Sequence, residues 1–454
     1  MLGGSDPSQT STNTHVPNGG PIRLNGIKGY SNRTNNIIFC PPLIRSTNNN
    51  KDEGPGQAVI YFGGDVQDVP EMMEDNRDTK GYVKFNLDNT ATILRESFPG
   101  AFIIVIRPAR MEFTTFSCFD NFVRGNNVGI PDHTPMHFAL QHLEEILINI
   151  TKKLKTMSES ELVSKLLEAS PTSKSNNSSD QEDMHIDILQ VHDNATSDAE
   201  MPSVGFNCKE EACNALPTIP IASDLTQSDL QASLQTPPST TTSSPSSNNP
   251  RDPHDLMWWR ESINLDKTNL ILMGFSKGCV VLNQFIYEFH YMKTLTPDDS
   301  SMMKLVSRIK HMYWLDGGHG GGKNTWITAR SLLETLCRLG ISVHVHVTPY
   351  QVQDDHRPWL RKEEKQFTDL LKKLGCAGLS RTLHSGDSNM SNLFTHFEVL
   401  ENFKKYQLQL QQQALSQPTQ SSPQEMIQEK EQSTQQQNQI IQKTPSSGET
   451  KNAT

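Results

Sequence analysis

Residues 270–282 join an apolar run to the motif Gly274-Phe-Ser276-Lys-Gly278 and then to a second apolar run. A serine at a sharp turn between a strand and a helix is held in a strained backbone conformation, and small flanking residues let the chain turn without a clash. Its hydroxyl then stands clear at the carboxyl end of the strand. This context predicts a nucleophilic serine at position 276 rather than a solvent-facing serine in an ordinary turn.

A serine nucleophile needs a base that removes its proton and a carboxylate that orients the base. On an open α/β sheet these residues follow later strands in the order Ser, Asp or Glu, His. His396 follows the last predicted strand and precedes the last predicted helix, so we expect it to be the base, with His384 as the second candidate.

Acidic residues follow two of the predicted strands after the serine. Asp354 lies in the loop two strands after the elbow strand, which is the commoner position of the acid, and we expect it to be the partner of the histidine. Asp316 ends the strand directly after the elbow helix and is the second candidate, while Asp355 remains an alternative beside Asp354.

Glycines also follow an earlier buried strand, at Gly63 and Gly64. A glycine pair there lets a backbone amide approach a substrate oxygen. With the amide of Lys277 it would complete an oxyanion hole.

Two further patterns suggest other chemistry and are less favoured. Gly317-x4-Gly322-Lys323 resembles a phosphate-binding loop, but Asn324 stands where Ser or Thr would hold magnesium, so we read the run as a rim of the hydrolase site. His344 and His346 share one face of a predicted strand, but no third ligand is placed by the sequence, and no metal is predicted.

The elements that would position these residues alternate between strands and helices. Continuous apolar strands alternating with amphipathic helices predict an α/β fold, an α/β-hydrolase-like mostly parallel sheet with helices on both faces. The predicted strands are 21–30, 36–43, 57–62, 101–107, 269–274, 311–316, 341–349 and 379–384. The predicted helices are 88–98, 135–156, 277–290, 325–339, 359–374 and 397–407.

Composition divides the chain into packed and polar parts. The hydrophobic content of 34% is low for a globular protein, and polar low-complexity segments account for the deficit. We expect a disordered N-terminus (1–35), a disordered insert (168–255) and a disordered Gln-rich tail (408–454) around the two halves of one domain, 36–167 and 256–407. The insert would join a helix to a strand and so lie opposite the active-site edge.

Charge and motifs exclude several classes of protein. A net charge of −10 argues against nucleic acid as the main partner, and seven cysteines without a CxxC pair indicate reduced thiols. No apolar run is long enough for a transmembrane segment, and no targeting peptide is visible at the amino terminus. No cofactor motif is indicated.

Several longer segments resemble one animal family. These are Ala-Val-Ile-Tyr-Phe-Gly-Gly-Asp-Val-Gln-Asp (58–68), the Gly-Phe-Ser-Lys-Gly elbow, Trp-Leu-Asp-Gly-Gly-His (314–319), Val-Thr-Pro-Tyr-Gln-Val (347–352) and His396-Phe397. The family is named only as an open reading frame of human chromosome 2. The resemblance implies a serine-hydrolase-like α/β domain and a mitochondrial location, and it brings no substrate. Because no targeting peptide is visible, a cytoplasmic location is the alternative.

Two functions follow from these patterns. The first is a serine hydrolase that cleaves a small ester, thioester or amide substrate through an acyl-enzyme, with Ser276, His396 and Asp354 in the catalytic roles. The second is a catalytically inactive hydrolase-fold protein that binds a partner or metabolite, because a fold does not guarantee an activity. Convergence of the three side chains would favour the enzyme.

Overall fold

The computed structural model describes residues 19–44, 56–168, 256–384 and 392–416. The strands are β1 (Ile22–Lys28), β2 (Thr34–Cys40), β3 (Gln57–Phe62), β4 (Ala101–Ile106), β5 (Arg110–Glu112), β6 (Phe116–Cys118), β7 (Asn269–Phe275), β8 (Ile309–Leu315), β9 (Ser342–Val347) and β10 (Ser380–Leu383). The helices are α1 (Pro70–Glu74), α2 (Leu87–Ser97), α3 (Ala139–Thr156), α4 (Glu159–Glu168), α5 (Cys279–Leu295), α6 (Ser300–Arg308), α7 (Arg330–Arg338), α8 (Pro349–Val352), α9 (Pro358–Lys373) and α10 (Leu393–Ser416).

Eight strands form one sheet in the order β1-β2-β4-β3-β7-β8-β9-β10. From β4 to β10 neighbouring strands run parallel, whereas β2 is antiparallel to both β1 and β4. Apolar residues of α3, α5, α7 and α9 cover one face, and those of α2 and α10 cover the other. The predicted α/β-hydrolase-like fold, with helices on both faces of a mostly parallel sheet, is confirmed.

Burial on both faces explains why the central strands are continuous apolar runs. All six residues of β4 are buried, as are five of the six residues of β3. A strand covered on both sides needs apolar side chains at every position, so its sequence loses the alternation of a half-exposed strand.

Some predicted boundaries differ from the observed ones. The sheet begins before residue 36, because β1 is its edge strand, and α10 continues to Ser416, beyond the predicted end of the domain at 407. Helix α3 begins at Ala139 instead of residue 135, since Phe138 adopts a left-handed φ of 61°. The aromatic segment after β4 folds into the β5–β6 hairpin, whose turn residues Phe113 and Thr114 have positive φ.

The remaining predictions of disorder, for most of the N-terminus, the insert and the tail, lie outside the described residues. The described chain ends at residue 168 and resumes at residue 256. Close to residue 256, Arg260 donates hydrogen bonds to the Leu154 and Lys155 carbonyl oxygens at the end of α3, at 3.2 and 3.0 Å. Among the described helices, none is long and apolar enough to cross a membrane.

Both attachment points of the insert lie near the amino ends of the parallel strands. The Leu166 carbonyl oxygen accepts from the Gly20 N–H at 2.9 Å, just before β1, and Arg260 contacts the end of α3. We predict that replacing residues 170–250 with a short Gly/Ser linker leaves the domain folded, because the closure entropy of a connection changes by only about 0.6 kcal/mol per doubling of its length. Circular dichroism and reaction of Ser276 with a fluorophosphonate probe would be measured together. A folded variant that no longer reacts would show that the insert contributes to the site.

Candidate active site

The predicted nucleophile lies between β7 and α5. Ser276 begins a single 3-10 turn, Ser276–Gly278, and its φ of 51° lies in the left-handed region that a residue with a side chain rarely adopts. Such a conformation costs of order 1–3 kcal/mol and persists only where the surroundings enforce it.

Packing around the turn enforces it. A Cβ atom added to Gly278 would lie 2.0 Å from the Phe62 carbonyl oxygen, and one added to Gly274 would lie 2.8 Å from the Cys279 Cα. Both positions therefore require glycine: Gly278 because the elbow presses against the end of β3, and Gly274 because the chain turns back closely at Cys279. This is the local geometry that the Gly-x-Ser-x-Gly pattern predicted.

A histidine–carboxylate pair lies next to the elbow. His396 Nδ1 is 2.7 Å from Asp316 Oδ2, and both residues are buried. The His396 ring stacks on the ring of Phe275, with 4.6 Å between centroids, directly before the serine. The loop after Asp316 also contacts the elbow, since the Gly318 N–H donates to the Ser276 carbonyl oxygen at 3.3 Å.

Asp316 is held from several directions. Its carboxylate accepts hydrogen bonds from Thr348 N at 2.7 Å and from Thr348 Oγ1 at 2.5 Å, and its own N–H donates to the His346 carbonyl oxygen at 2.7 Å. Its φ of 48° turns the chain sharply at the end of β8. These contacts fix the carboxylate that meets His396. His396 lies in the first turn of α10, not before the helix as predicted.

The first candidate for the acid lies elsewhere. The Asp354 carboxylate accepts from Arg357 Nε at 2.6 Å and from the His356 N–H at 2.8 Å. Asp355 is 91% exposed in its side chain. The hydrogen bonds thus pair His396 with Asp316, whereas the Asp354 carboxylate is engaged by its own neighbours Arg357 and His356.

The second candidate for the base is also engaged elsewhere. His384 Nε2 lies 2.8 Å from His346 Nδ1. Burial is the main cause that lowers the pKa of His346 to about 3, and the neighbouring His384 is the second cause. His344 lies instead against His311 and Ser380, at 3.1 and 2.8 Å. Desolvation lowers the pKa of all four histidines, which disfavours their charged forms. Among the described residues no group of three or more His, Cys, Asp or Glu could hold a metal ion.

The glycines after β3 approach the nucleophile closely. A Cβ atom on Gly64 would lie 2.5 Å from Ser276 Cβ, whereas one on Gly63 would lie 3.0 Å from both Gln67 Oε1 and a Leu87 methyl carbon. Gly63 is therefore packed inward. The Gly64 N–H is already engaged, since it donates to Gln67 Oε1 at 3.1 Å.

Gln67 fixes this loop from within the protein. It is fully buried, its Oε1 also accepts from the Tyr61 hydroxyl at 2.8 Å, and its Nε2 donates to the Phe85 carbonyl oxygen at 2.8 Å. No partner for the next amide, that of Asp65, is found in the described part of the chain. Sequence reasoning missed Gln67, Asp65 and Thr348, although all three lie in the segments that carry the family resemblance.

The glycine-rich run after β8 is closed by a carboxylate of the protein. Glu363 on α9 accepts hydrogen bonds from three successive backbone amides, those of Asn324, Thr325 and Trp326, at 2.9, 2.7 and 3.1 Å. These are amides that a phosphate would need in a phosphate-binding loop. Their engagement disfavours nucleotide binding, the interpretation already less favoured from Asn324.

Comparison with known proteins identifies the family. The family model C2orf69 matches residues 23–377. The chain belongs to the C2orf69 family. It is similar to the mouse mitochondrial protein C2orf69 homolog, 33% identical over 348 residues, which are 76% of this chain and 77% of the mouse protein. The human mitochondrial protein C2orf69 is 33% identical over 350 residues (77% and 74%), and the zebrafish homolog is 28% identical over 401 residues (87% and 89%).

Solved structures also show a distant likeness. An IroE-like serine hydrolase from Shewanella oneidensis is 10% identical, with a TM-score of 0.31, over 85% of this chain and 79% of the other. The siderophore hydrolase EstA from Aspergillus nidulans is 11% identical, with a TM-score of 0.32, over 92% and 100%. At these scores the likeness carries no argument about the activity of a C2orf69 family member.

The contact between Gly64 and the nucleophile gives a test of the site. We predict that Gly64→Ala lowers the rate at which Ser276 reacts with a fluorophosphonate by at least about tenfold, because a displacement near 1 Å at an active site costs up to about 100-fold. The control is Gly81→Ala, since an added Cβ there meets no atom within 4 Å. Equal rates for the two folded variants would contradict the geometry.

Proposed function

We propose that the protein is a serine hydrolase that cleaves an ester, thioester or amide through an acyl-enzyme. The observation that carries this proposal is the buried Asp316–His396 hydrogen bond beside the strained Ser276 elbow. A buried carboxylate that binds Nδ1 of a histidine fixes the tautomer that leaves Nε2 as a proton acceptor. The hydroxyl of Ser276 has no hydrogen-bond partner in the described residues, and such catalytic contacts commonly tighten only when substrate binds.

In the proposed mechanism Ser276 Oγ attacks the substrate carbonyl carbon while His396 Nε2 accepts the hydroxyl proton. The carbonyl π electrons move onto oxygen, which becomes the oxyanion. When the tetrahedral intermediate collapses, His396 returns the proton to the departing alcohol, thiol or amine, and the acyl group stays on Ser276. Water then repeats the sequence and releases the acid.

Two backbone amides are proposed to stabilise the oxyanion. One is the N–H of Lys277, directly after the nucleophile, as expected from the motif. The other is the N–H of Asp65, in place of the expected Gly63 and Gly64 amides. The close approach of Gly64 to Ser276 brings the Asp65 segment near the reacting carbonyl, whereas the Gly64 amide is engaged by Gln67.

The proposal extends to the substrate and the location. A small acyl-type substrate fits the chemistry, and the negative net charge disfavours nucleic acid. We propose a mitochondrial location because the mouse, human and zebrafish relatives are all named mitochondrial proteins.

The nucleophile is tested by active-site labelling. The wild-type protein should react covalently with a fluorophosphonate, and Ser276→Ala should abolish the reaction without unfolding the domain. Intact-mass spectrometry measures the adduct, and circular dichroism checks the fold. A matched control is Ser97→Ala, which removes another buried hydroxyl, one that donates to the Ile93 carbonyl oxygen within α2. Absence of any adduct on the wild type would favour a binding protein without catalytic activity.

The acid is tested by two parallel substitutions. We expect Asp316→Asn to lower kcat for p-nitrophenyl acetate by roughly 10³–10⁴-fold, because an asparagine leaves the histidine in the wrong tautomer. Asp354→Asn should reduce it far less, since that carboxylate binds Arg357. If the two effects were reversed, Asp354 would be the acid in solution.

A further inference from the structure

The side chain of Lys277 is buried beside the proposed oxyanion hole. Its side chain is only 2% exposed, and its Nζ lies 2.9 Å from Asp65 Oδ1. The same Nζ donates to the Val128 carbonyl oxygen at 2.7 Å and lies 4.9 Å from the centre of the Phe116 ring. A lysine ammonium has three N–H donors. Here a carboxylate, a carbonyl oxygen and an aromatic face surround it, so it is not available to bind an anionic substrate.

Asp65 extends this contact to the β5–β6 hairpin. Its Oδ1 accepts from the Ser117 N–H at 2.7 Å and from Ser117 Oγ at 3.0 Å. The ion pair therefore joins the elbow, the loop after β3 and the β6 strand. A buried charge is costly unless it is paired and hydrogen-bonded, so breaking one partner leaves the other uncompensated.

Lys277 and Asp65 each directly follow a residue that lies at the nucleophile. Lys277 directly follows Ser276, and Asp65 directly follows Gly64, the residue whose added Cβ would lie 2.5 Å from Ser276 Cβ. The two side chains thus link the two backbone segments whose amides are proposed to bind the oxyanion. Such donors act only when they lie about 2.7–3.1 Å from the developing oxygen anion.

We propose that the Lys277–Asp65 ion pair sets the spacing of the two-amide oxyanion hole. Both side chains are positioning residues, since they act through their own backbone amides and do not touch the substrate. This inference rests on the proposed serine-hydrolase function. The Gly-x-Ser-x-Gly pattern leaves the residue after the serine open, and this proposal gives Lys277 a positioning role at that place.

The test uses Lys277→Met, Asp65→Asn and the double variant in the full chain, because all three keep both backbone amides. Hydrolysis of p-nitrophenyl acetate should show kcat lowered by about 10- to 100-fold, with KM changed less than about threefold. Affinity for an aryl trifluoromethyl ketone, which forms a tetrahedral adduct on the serine, should fall in parallel. The double variant leaves no unpaired charge in the pair, so it is the decisive variant if a single variant does not fold.

A second ion pair, between two helices, provides the control. Arg308 on α6 and Glu144 on α3 form an ion pair whose side chains are 11% and 12% exposed. The variant Arg308→Met with Glu144→Gln should alter thermal stability and leave kcat and ketone affinity unchanged.

Each outcome decides the proposal. Low kcat in the folded double variant, with a normal control, supports the positioning role. Recovery of wild-type kcat in the double variant would mean that the pair only balances buried charge and would overturn it. A wild type that neither labels with fluorophosphonate nor hydrolyses the ester would overturn the hydrolase function itself, and this inference with it.

Discussion

The buried carboxylate of Asp316 is the constraint on which the rest of the site depends. The residue is completely buried, so its carboxylate needs hydrogen-bond donors supplied by the protein. Thr348 supplies two donors from the end of β9, and His396 supplies one from α10. Three elements that are distant in the chain are therefore held at one point on the carboxyl edge of the sheet.

Strained backbone at the same edge is tolerated because the sheet around it is rigid. Ser276 and Asp316 both have positive φ, at the ends of the neighbouring strands β7 and β8. Each costs of order 1–3 kcal/mol, which the buried strands on both sides offset. At each position the positive φ turns the chain out of its strand and into the segment that follows.

Carboxylates that bind a cationic side chain or backbone amides also order the loops that surround the site. Asp65 meets Lys277, Asp68 forms a two-point contact with Arg107 at 2.6 and 2.7 Å, and Glu363 closes the glycine-rich run. Loops of this kind carry few apolar side chains, so burial alone orders them poorly. Charge-assisted hydrogen bonds are stronger and more directional than neutral ones, and here they give the loops defined positions.

The amino-acid sequence by itself determined the order and type of most elements, the α/β-hydrolase-like sheet and the position of the elbow. Those features follow from local periodicity: apolar runs for strands buried on both faces, repeats of three and four for helices, and glycines where the chain turns. The β5–β6 hairpin was missed because its strands have three residues each and show no clear alternation.

Tertiary structure alone decided which acid meets the histidine and which amides remain open. Asp316 and Asp354 both follow strands of the same sheet, so spacing along the chain does not separate them. The difference is that the turn at Asp316 brings its carboxylate to His396, whereas the Asp354 carboxylate binds the nearby Arg357. Likewise Gly64 and Asp65 are adjacent in sequence, and only the buried side chain of Gln67 determines that the first amide is engaged. Such choices depend on side-chain directions and long-range contacts, which a linear pattern of residue types does not contain.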